Sequence, residues 1–324
     1  MKKEEAKIGK IKTDPKITLI GACNLDLQGI SSQDLKLYDS NPGKLTTSAG
    51  GVARNIAENI ARLGLSTRLL TTLGKDKEGD FIRSSTEKLG VDMQDSLYLE
   101  NTPSSVYLSI LDKKGELVVA INQMGILEKL NKEYLQEKKE LIKESPMIVL
   151  DANLQEEVID YLCKNHQDQR IFVDPVSTVK SLKLKNSLKY LYAIKPNIYE
   201  MQSLLGRKLS GFEDYKKALY QVLELGVKEV YLTLGQEGVL VADKNQIIHA
   251  SAQVENVKSV TGAGDAFLAA AVYANYHGWD LEHLASFSQA LALIVLGQQR
   301  DRVYFEEEKI RQRRKDVKTK SLLW

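Results

Sequence analysis

The sequence predicts a doubly wound α/β fold, a mostly parallel sheet with helices on both faces and a small inserted β-sheet beside it. Two observations carry this. Short apolar, β-rich runs alternate with amphipathic helical stretches along most of the chain. That alternation is the pattern of strands buried on both faces and joined by crossover helices. One region breaks the rhythm with two strand-like runs around a turn, which reads as a hairpin outside the main sheet.

The strands come first as Ile17–Gly21, then Thr67–Gly74, Met147–Asp151, Ile171–Val176, Tyr192–Pro196 and Val230–Gly235. Between them, Val52–Leu63, Glu78–Leu89, Glu156–Cys163, Tyr215–Leu225 and Gly264–Tyr276 read as helices. From Asn24 to Ser48 there is no helical period. Between Ser104 and Asn122, the runs SSVYLSILD and GELVVAIN flank the turn Lys113–Gly115. These two segments, 24–48 and 104–122, are expected to form a small sheet that acts as a lid. Residues 1–16 read as a flexible lead-in, and 17–324 as one domain. From Glu306 to Lys320 the chain is charged and polar, which predicts a solvated terminal helix that frays.

Composition narrows the function. The 324 residues are 43% hydrophobic and 27% charged, enough to bury a core. A formal net charge of +2 gives no electrostatic reason to expect a nucleic-acid partner. Two cysteines, Cys23 and Cys163, are too few for a disulfide framework, and with four scattered histidines they make no zinc spacing. No apolar run approaches the ~20 residues of a membrane span, and the N-terminus has no signal-like apolar stretch. A cytoplasmic location is expected.

The strongest chemical signal is Val260-Thr261-Gly262-Ala263-Gly264-Asp265-Ala266-Phe267, at the start of an apolar helix. The unpaired N–H groups of a helix start, with the helix dipole, make an anion site. A carboxylate there repels a phosphate that is merely bound. It makes sense where Asp265 accepts a proton from an attacking hydroxyl while the N–H groups hold a transferring phosphoryl group. On this motif alone, a capped turn with Asp265 serving the helix terminus accounts for the residues equally well.

Four weaker fragments sit at other strand ends. Ser48-Ala49-Gly50-Gly51-Val52-Ala53-Arg54-Asn55 places a glycine pair before a helix and an amide on its first turn, suited to sugar hydroxyls. Asn24-Leu25-Asp26 follows the first strand, where Asp26 could bind a diol or form an Asx turn. Lys195-Pro196-Asn197-Ile198-Tyr199-Glu200 puts Asn197 and Glu200 on one helical face. Glu200 there could hold Mg²⁺ through water, although capping is the commoner use of such a residue. Leu232-Thr233-Leu234-Gly235-Gln236-Glu237-Gly238 offers a hydroxyl and pliant backbone for a nucleotide.

In combination and in this order, the fragments resemble the ribokinase-like (PfkB) family of carbohydrate and nucleoside kinases. The resemblance spans roughly Ile17 to Gln298. It implies ATP and Mg²⁺ as cofactors and Asp265 as catalytic base, with the N–H groups of Gly262, Ala263 and Gly264 as the anion hole. It implies Asp26, Gly50, Gly51 and Asn55 at the sugar. It implies Asn197, Thr233, Gly235, Gly238 and Thr261 at the nucleotide, with Asn197 and Glu200 serving Mg²⁺ and phosphate. Many members carry an Asp three residues before GAGD, linked to potassium. Ser259 stands there instead, which weighs against potassium activation.

Within the family, GACNLDL, DSNPGK, GGVARNIAENIARLG, LDANL, VDPVS and VTGAGDAF are similar to pseudouridine kinases. That resemblance implies phosphorylation of the 5′-hydroxyl of pseudouridine, with Asn24, Lys44 or Asn153 reading the base. It also implies a pathway link to an enzyme that splits pseudouridine 5′-phosphate. Asn122-Gln123-Met124-Gly125 departs from the acidic residues some of those kinases carry near the second lid strand. A kinase for ribose or another nucleoside is the nearest alternative, and a non-catalytic ligand sensor on the same fold is the alternative of another class. Apolar lid surface would favour a homodimer formed through the lid.

Overall fold

Leu19 and Ile20 are adjacent, and both are fully buried. Successive strand residues point to opposite faces, so this strand must be covered on both sides. The computed structural model, which describes residues 16–253, 257–258, 261–298 and 305–322, builds those two covers. The large sheet contains β1 (Ile17–Ile20), β4 (Thr67–Leu70), β6 (Val91–Asp92), β10 (Met147–Asp151), β11 (Arg170–Asp174), β12 (Ala193–Ile194), β13 (Glu229–Thr233), β14 (Val239–Ala242), β15 (Ile247–Ser251) and β16 (Lys318–Leu322). Its order is β16-β15-β14-β13-β12-β11-β10-β1-β4-β6. From β6 to β13 every pairing is parallel, and β13 to β16 pair antiparallel.

One face packs Leu19, Leu69, Val149, Phe172 and Tyr231 against α1 (Val52–Arg62), α9 (Ala263–Tyr276) and α10 (Leu281–Leu296). The other packs Ile20, Leu70, Leu150, Val173 and Leu232 against α5 (Glu156–Asn165), α7 (Ile198–Leu205) and α8 (Gly211–Glu224). Helices α2 (Lys77–Glu87), α3 (Lys132–Glu137), α4 (Lys139–Lys143), α6 (Thr178–Ser181) and α11 (Glu307–Arg314) fill the margins. Among the described residues no helix is long and apolar enough to cross a membrane.

The second sheet has the order β3-β2-β8-β9, from β2 (Asn24–Ser31), β3 (Gly43–Gly50), β8 (Val106–Leu111) and β9 (Leu117–Gln123). Its two segments are those expected from the sequence, joined through parallel pairing of β2 with β8. The hairpin turn is set by Asp112, whose Oδ1 accepts the N–H groups of Lys114 and Glu116.

The structure differs from the sequence reading in two places. Thr67–Gly74 is not one strand: it divides at Thr71 into β4 and β5 (Thr72–Gly74), and β5 pairs with β7 (Leu97–Leu99). The cause is Ser96, which takes a hydrogen bond from Thr71 N and donates one to Leu69 O, so the chain turns there. The charged C-terminal segment does not end as a fraying helix: α11 is followed by β16, which pairs with β15 over five residues. Of the expected lead-in, residues 1–15 lie outside the described residues, and Lys16 Nζ lies 2.5 Å from Asp92 Oδ2.

Candidate active site

The first-turn ends of α1 and α9 meet outside the carboxyl ends of the parallel strands, where open α/β sheets bind ligands. Gly51 caps α1 with φ 102°, a conformation other residues rarely adopt. A Cβ there would lie 2.4 Å from Ala22 O, and one on Gly50 would lie 2.0 Å from Asp26 Oδ2. The glycine pair therefore lets β2 and its Asp26 press against the helix start. Asp26 is buried, and its Oδ1 accepts Asn24 Nδ2 at 2.8 Å.

At the other helix start Gly262 is the N-cap with φ 89°, and as a glycine it brings no capping side chain. Asp265 stands on the first turn of the same helix. Its Oδ2 accepts the Nδ2–H of Asn55 at 2.8 Å, across 210 residues of sequence. This hydrogen bond joins the two motifs that sequence reading identified separately.

Two carboxylates and a lysine that the sequence reading did not assign complete the floor. Asp151 ends β10 and is fully buried. Its Oδ2 accepts the N–H groups of Ala22 and Ala53, each at 2.9 Å, and its Oδ1 accepts that of Asn153. One side chain thus ties β1, α1 and the loop after β10. Burial raises its pKa, and the three N–H groups oppose that shift. Lys195, at the end of β12, is buried with Nζ 3.1 Å from Asp174 Oδ2. A Cβ on Gly264 would lie 3.1 Å from the same Nζ, so the ammonium sits directly under the GAGD turn. Burial alone would lower the lysine pKa, but Asp174, Glu200 and Asp265 hold it above the ordinary value. Burial, then repulsion from Asp174, raises the Glu200 pKa against the pull of Lys195. The local signal for Lys195 was its position in KPNIYE, but nothing in that fragment says what its side chain meets.

Asn197 and Glu200 form a reciprocal capping box on α7: each backbone N–H donates to the other's side chain at 2.9 Å. Asn197 bridges to Thr233, whose N–H donates to Pro196 O, so the ends of β12 and β13 lie together. Gly235 and Gly238 bracket the turn after β13, and Leu234 N donates to Gly238 O. Thr261 is exposed beside Gly262. Asn153 Oδ1 accepts Lys180 Nζ at 2.6 Å. Lys44 is not brought to this cluster. It is exposed and pairs with Ile30, six positions along the ladder from the Asn24–Gly50 pair. That is about 20 Å at the usual strand rise. Ser259, the position bearing on potassium, lies outside the described residues.

Among the described residues no group of three or more His, Cys, Asp or Glu is placed to hold a metal. Glu200 and Asp174 lie together beside Lys195, and Glu200 uses only Oε2 in its capping box. This donor set suits a hard cation that arrives with phosphate and keeps waters.

Comparison with known proteins agrees with the fold. A model of the pfkB family of carbohydrate kinases matches residues 14–306. The chain is 36% identical over 281 residues to the pseudouridine kinase of Escherichia coli, covering 86% of this chain and 90% of that protein. It is 27% identical over 247 residues to the pseudouridine kinase of Arabidopsis thaliana, covering 70% of this chain and 65% of that one. The crystal structure of ribokinase from Thermotoga maritima superposes with a TM-score of 0.80 at 25% identity, covering 93% of this chain and 99% of the other. The chain belongs to the pfkB family of carbohydrate kinases.

Proposed function

We propose that the protein transfers the γ-phosphoryl group of ATP to the 5′-hydroxyl of pseudouridine, yielding pseudouridine 5′-phosphate and ADP. The observation that carries this is the hydrogen bond between Asn55 and Asp265, which sets an amide and a carboxylate between two helix N-termini. The 36% identity to the Escherichia coli enzyme named for this substrate supports the choice of acceptor.

In this reading Asp265 takes the hydroxyl proton as the hydroxyl oxygen bonds to phosphorus and the bond to ADP breaks. The N–H groups of Gly262, Ala263 and Gly264 stabilise charge on the transferring group. Asp26, Asn55 and the backbone at Gly50 and Gly51 orient the ribose. Asn24 and Asn153 face the base. Thr233, Gly235, Gly238, Thr261 and Asn197 border the nucleotide. Glu200 would hold Mg²⁺ through water, and Mg²⁺ supplies charge neutralisation when bound. Lys195 offsets the charge of the carboxylates beneath the turn. The small sheet covers the site and excludes water.

The test is ADP release with pseudouridine, uridine, cytidine, adenosine, ribose and fructose, with products confirmed by mass. Pseudouridine should give the highest kcat/KM. A higher value for ribose or another nucleoside would overturn the acceptor and leave the kinase chemistry intact. Because ATP is the donor, the cytoplasm is the proposed place of action. An enzyme that splits the product into uracil and ribose 5-phosphate is the proposed pathway partner.

The small sheet also supports a proposed homodimer. Leu45, Leu117, Val118, Val119 and Ile121 are all exposed on β3 and β9, its two edge strands. Isolated edge strands bearing exposed apolar residues favour a second copy as cover. Light scattering should give a dimer mass near twice 36.3 kDa. A monomer mass across concentrations, or a dimer unchanged by Ile121→Lys, would overturn it.

A further inference from the structure

Arg54 is an arginine with almost no exposed surface, on the first turn of α1 beside Asn55, a candidate sugar-binding residue. Burying a guanidinium is costly unless its donors are met. Here Nε and Nη1 both have partners. Nε donates to Thr86 Oγ1 at 3.2 Å, and the Thr86 hydroxyl itself donates to Ile82 O, so its oxygen is turned to accept. Nη1 shares its two hydrogens among Glu58 Oε2, at 2.5 Å, and Ala49 O and Asn55 Oδ1, each at 3.3 Å. Glu58 is in turn held by Arg62.

The contact with Asn55 has a consequence for the base. An amide has one accepting end and one donating end. Arg54 only donates, so it selects Oδ1. The Asp265 carboxylate only accepts, so it selects Nδ2–H. Both neighbours specify the same orientation, and a flipped amide would face donor to donor and acceptor to acceptor. Thr86 lies on α2 and Ala49 on β3, so the guanidinium is anchored from three elements at once.

We propose that Arg54 is a positioning residue of the site: it locks the Asn55 amide so that Nδ2–H holds the Asp265 carboxylate in place. This rests on the kinase reading above. Arg54 touches neither acceptor nor nucleotide in it and acts only through Asn55.

A double-mutant cycle tests it, using Arg54→Met, Asn55→Ala and the pair, with whichever acceptor the wild-type enzyme phosphorylates best. Arg54→Met should lower kcat/KM by roughly 10- to 100-fold, the range of one hydrogen bond to a charged group. In the Asn55→Ala background the same change should cost less than about twofold, because its target is gone. Equal losses in both backgrounds, or no loss in the wild-type background, would overturn the proposal, since a merely structural role does not depend on Asn55. Glu58 keeps Arg62 as partner in these variants, which favours folding. If Arg54→Met does not fold, Arg54→Lys serves in the same cycle, keeping the charge but losing the planar fork.

A second readout needs no turnover. The Asn55 side-chain amide resonances, assigned by their loss in Asn55→Ala, should shift and exchange faster with water in Arg54→Met. Unchanged resonances would overturn the proposal. If the wild-type protein phosphorylated nothing in the panel, the kinase reading would fail while this measurement still decided the role of Arg54.

Discussion

Asp265→Asn should bind its acceptor almost as tightly as the wild-type protein and lose turnover by roughly 10²–10⁴-fold, the contribution of a positioned general base. The geometry makes the variant informative. An asparagine oxygen can still accept the Asn55 Nδ2–H, so the clasp between α1 and α9 survives while the proton acceptor is lost. A role confined to the helix dipole predicts a different result. A first-turn carboxylate contributes about 0.3–1 kcal/mol of stability, and its loss would leave turnover intact. Acceptor affinity by calorimetry, single-turnover rate by rapid quench and urea unfolding separate the two. Turnover within a few fold of wild type would remove Asp265 from the base role.

Lys195→Met should be the most destabilising single change in the site, costing about 3–5 kcal/mol, because it leaves buried carboxylates without their cation. Asp174 is buried with its oxygen 3.1 Å from Nζ, and Glu200 is buried nearby. The urea midpoint should fall with little change in slope. Removing Asp174 as well, in Lys195→Met/Asp174→Leu, should recover much of the loss by deleting both the orphaned charge and its repulsion on Glu200. A loss below about 1 kcal/mol in the single variant would mean the ammonium does not carry the charges around it.

The pH dependence has a definite sign. The lysine pKa is raised, so its contribution is complete below the ordinary lysine value and fades only as pH rises through the higher folded one. The Glu200 pKa is raised too, so its ionisation costs stability as pH climbs through that value. Without Lys195 the Glu200 carboxyl loses the cation that opposes its shift and favours the protonated form more strongly. The stability deficit of Lys195→Met should therefore shrink toward pH 5 and grow toward pH 8. A deficit flat across that range would show that charge is not its origin.

Much of this protein is written locally. The apolar runs at Ile17, Met147 and Ile171 and the amphipathic stretch after Val52 produce strands and a helix because side-chain period is a property of neighbouring residues. The glycine junctions at Gly50–Gly51 and Gly262–Gly264 were legible for the same reason: backbone freedom and a helix start are local facts. The small sheet could be read as two segments, although its extent to Gly50 and Gln123 could not.

Asn197 and Glu200 are three residues apart, a spacing that serves a cap or a metal: the structure closes a capping box through Oε2 of Glu200, and this is compatible with the Mg²⁺ role proposed above. The charged tail read as solvated because an edge strand needs only half its residues to face a neighbour. Pairing with β15 is invisible without knowing where β15 lies.

What tertiary structure alone decided is which distant residues meet. Sequence names β1, β4 and β10 but does not put β1 between the other two. That order brings the Asp151 carboxylate under Ala22 and Ala53, brings Asp174 to Lys195, and carries Asn55 across 210 positions to Asp265. Residue types and spacing determined the parts of the site. Long-range burial of the sheet's two faces determined their assembly, because hydrophobic packing is non-directional in sequence and only the closed fold fixes which strand ends converge.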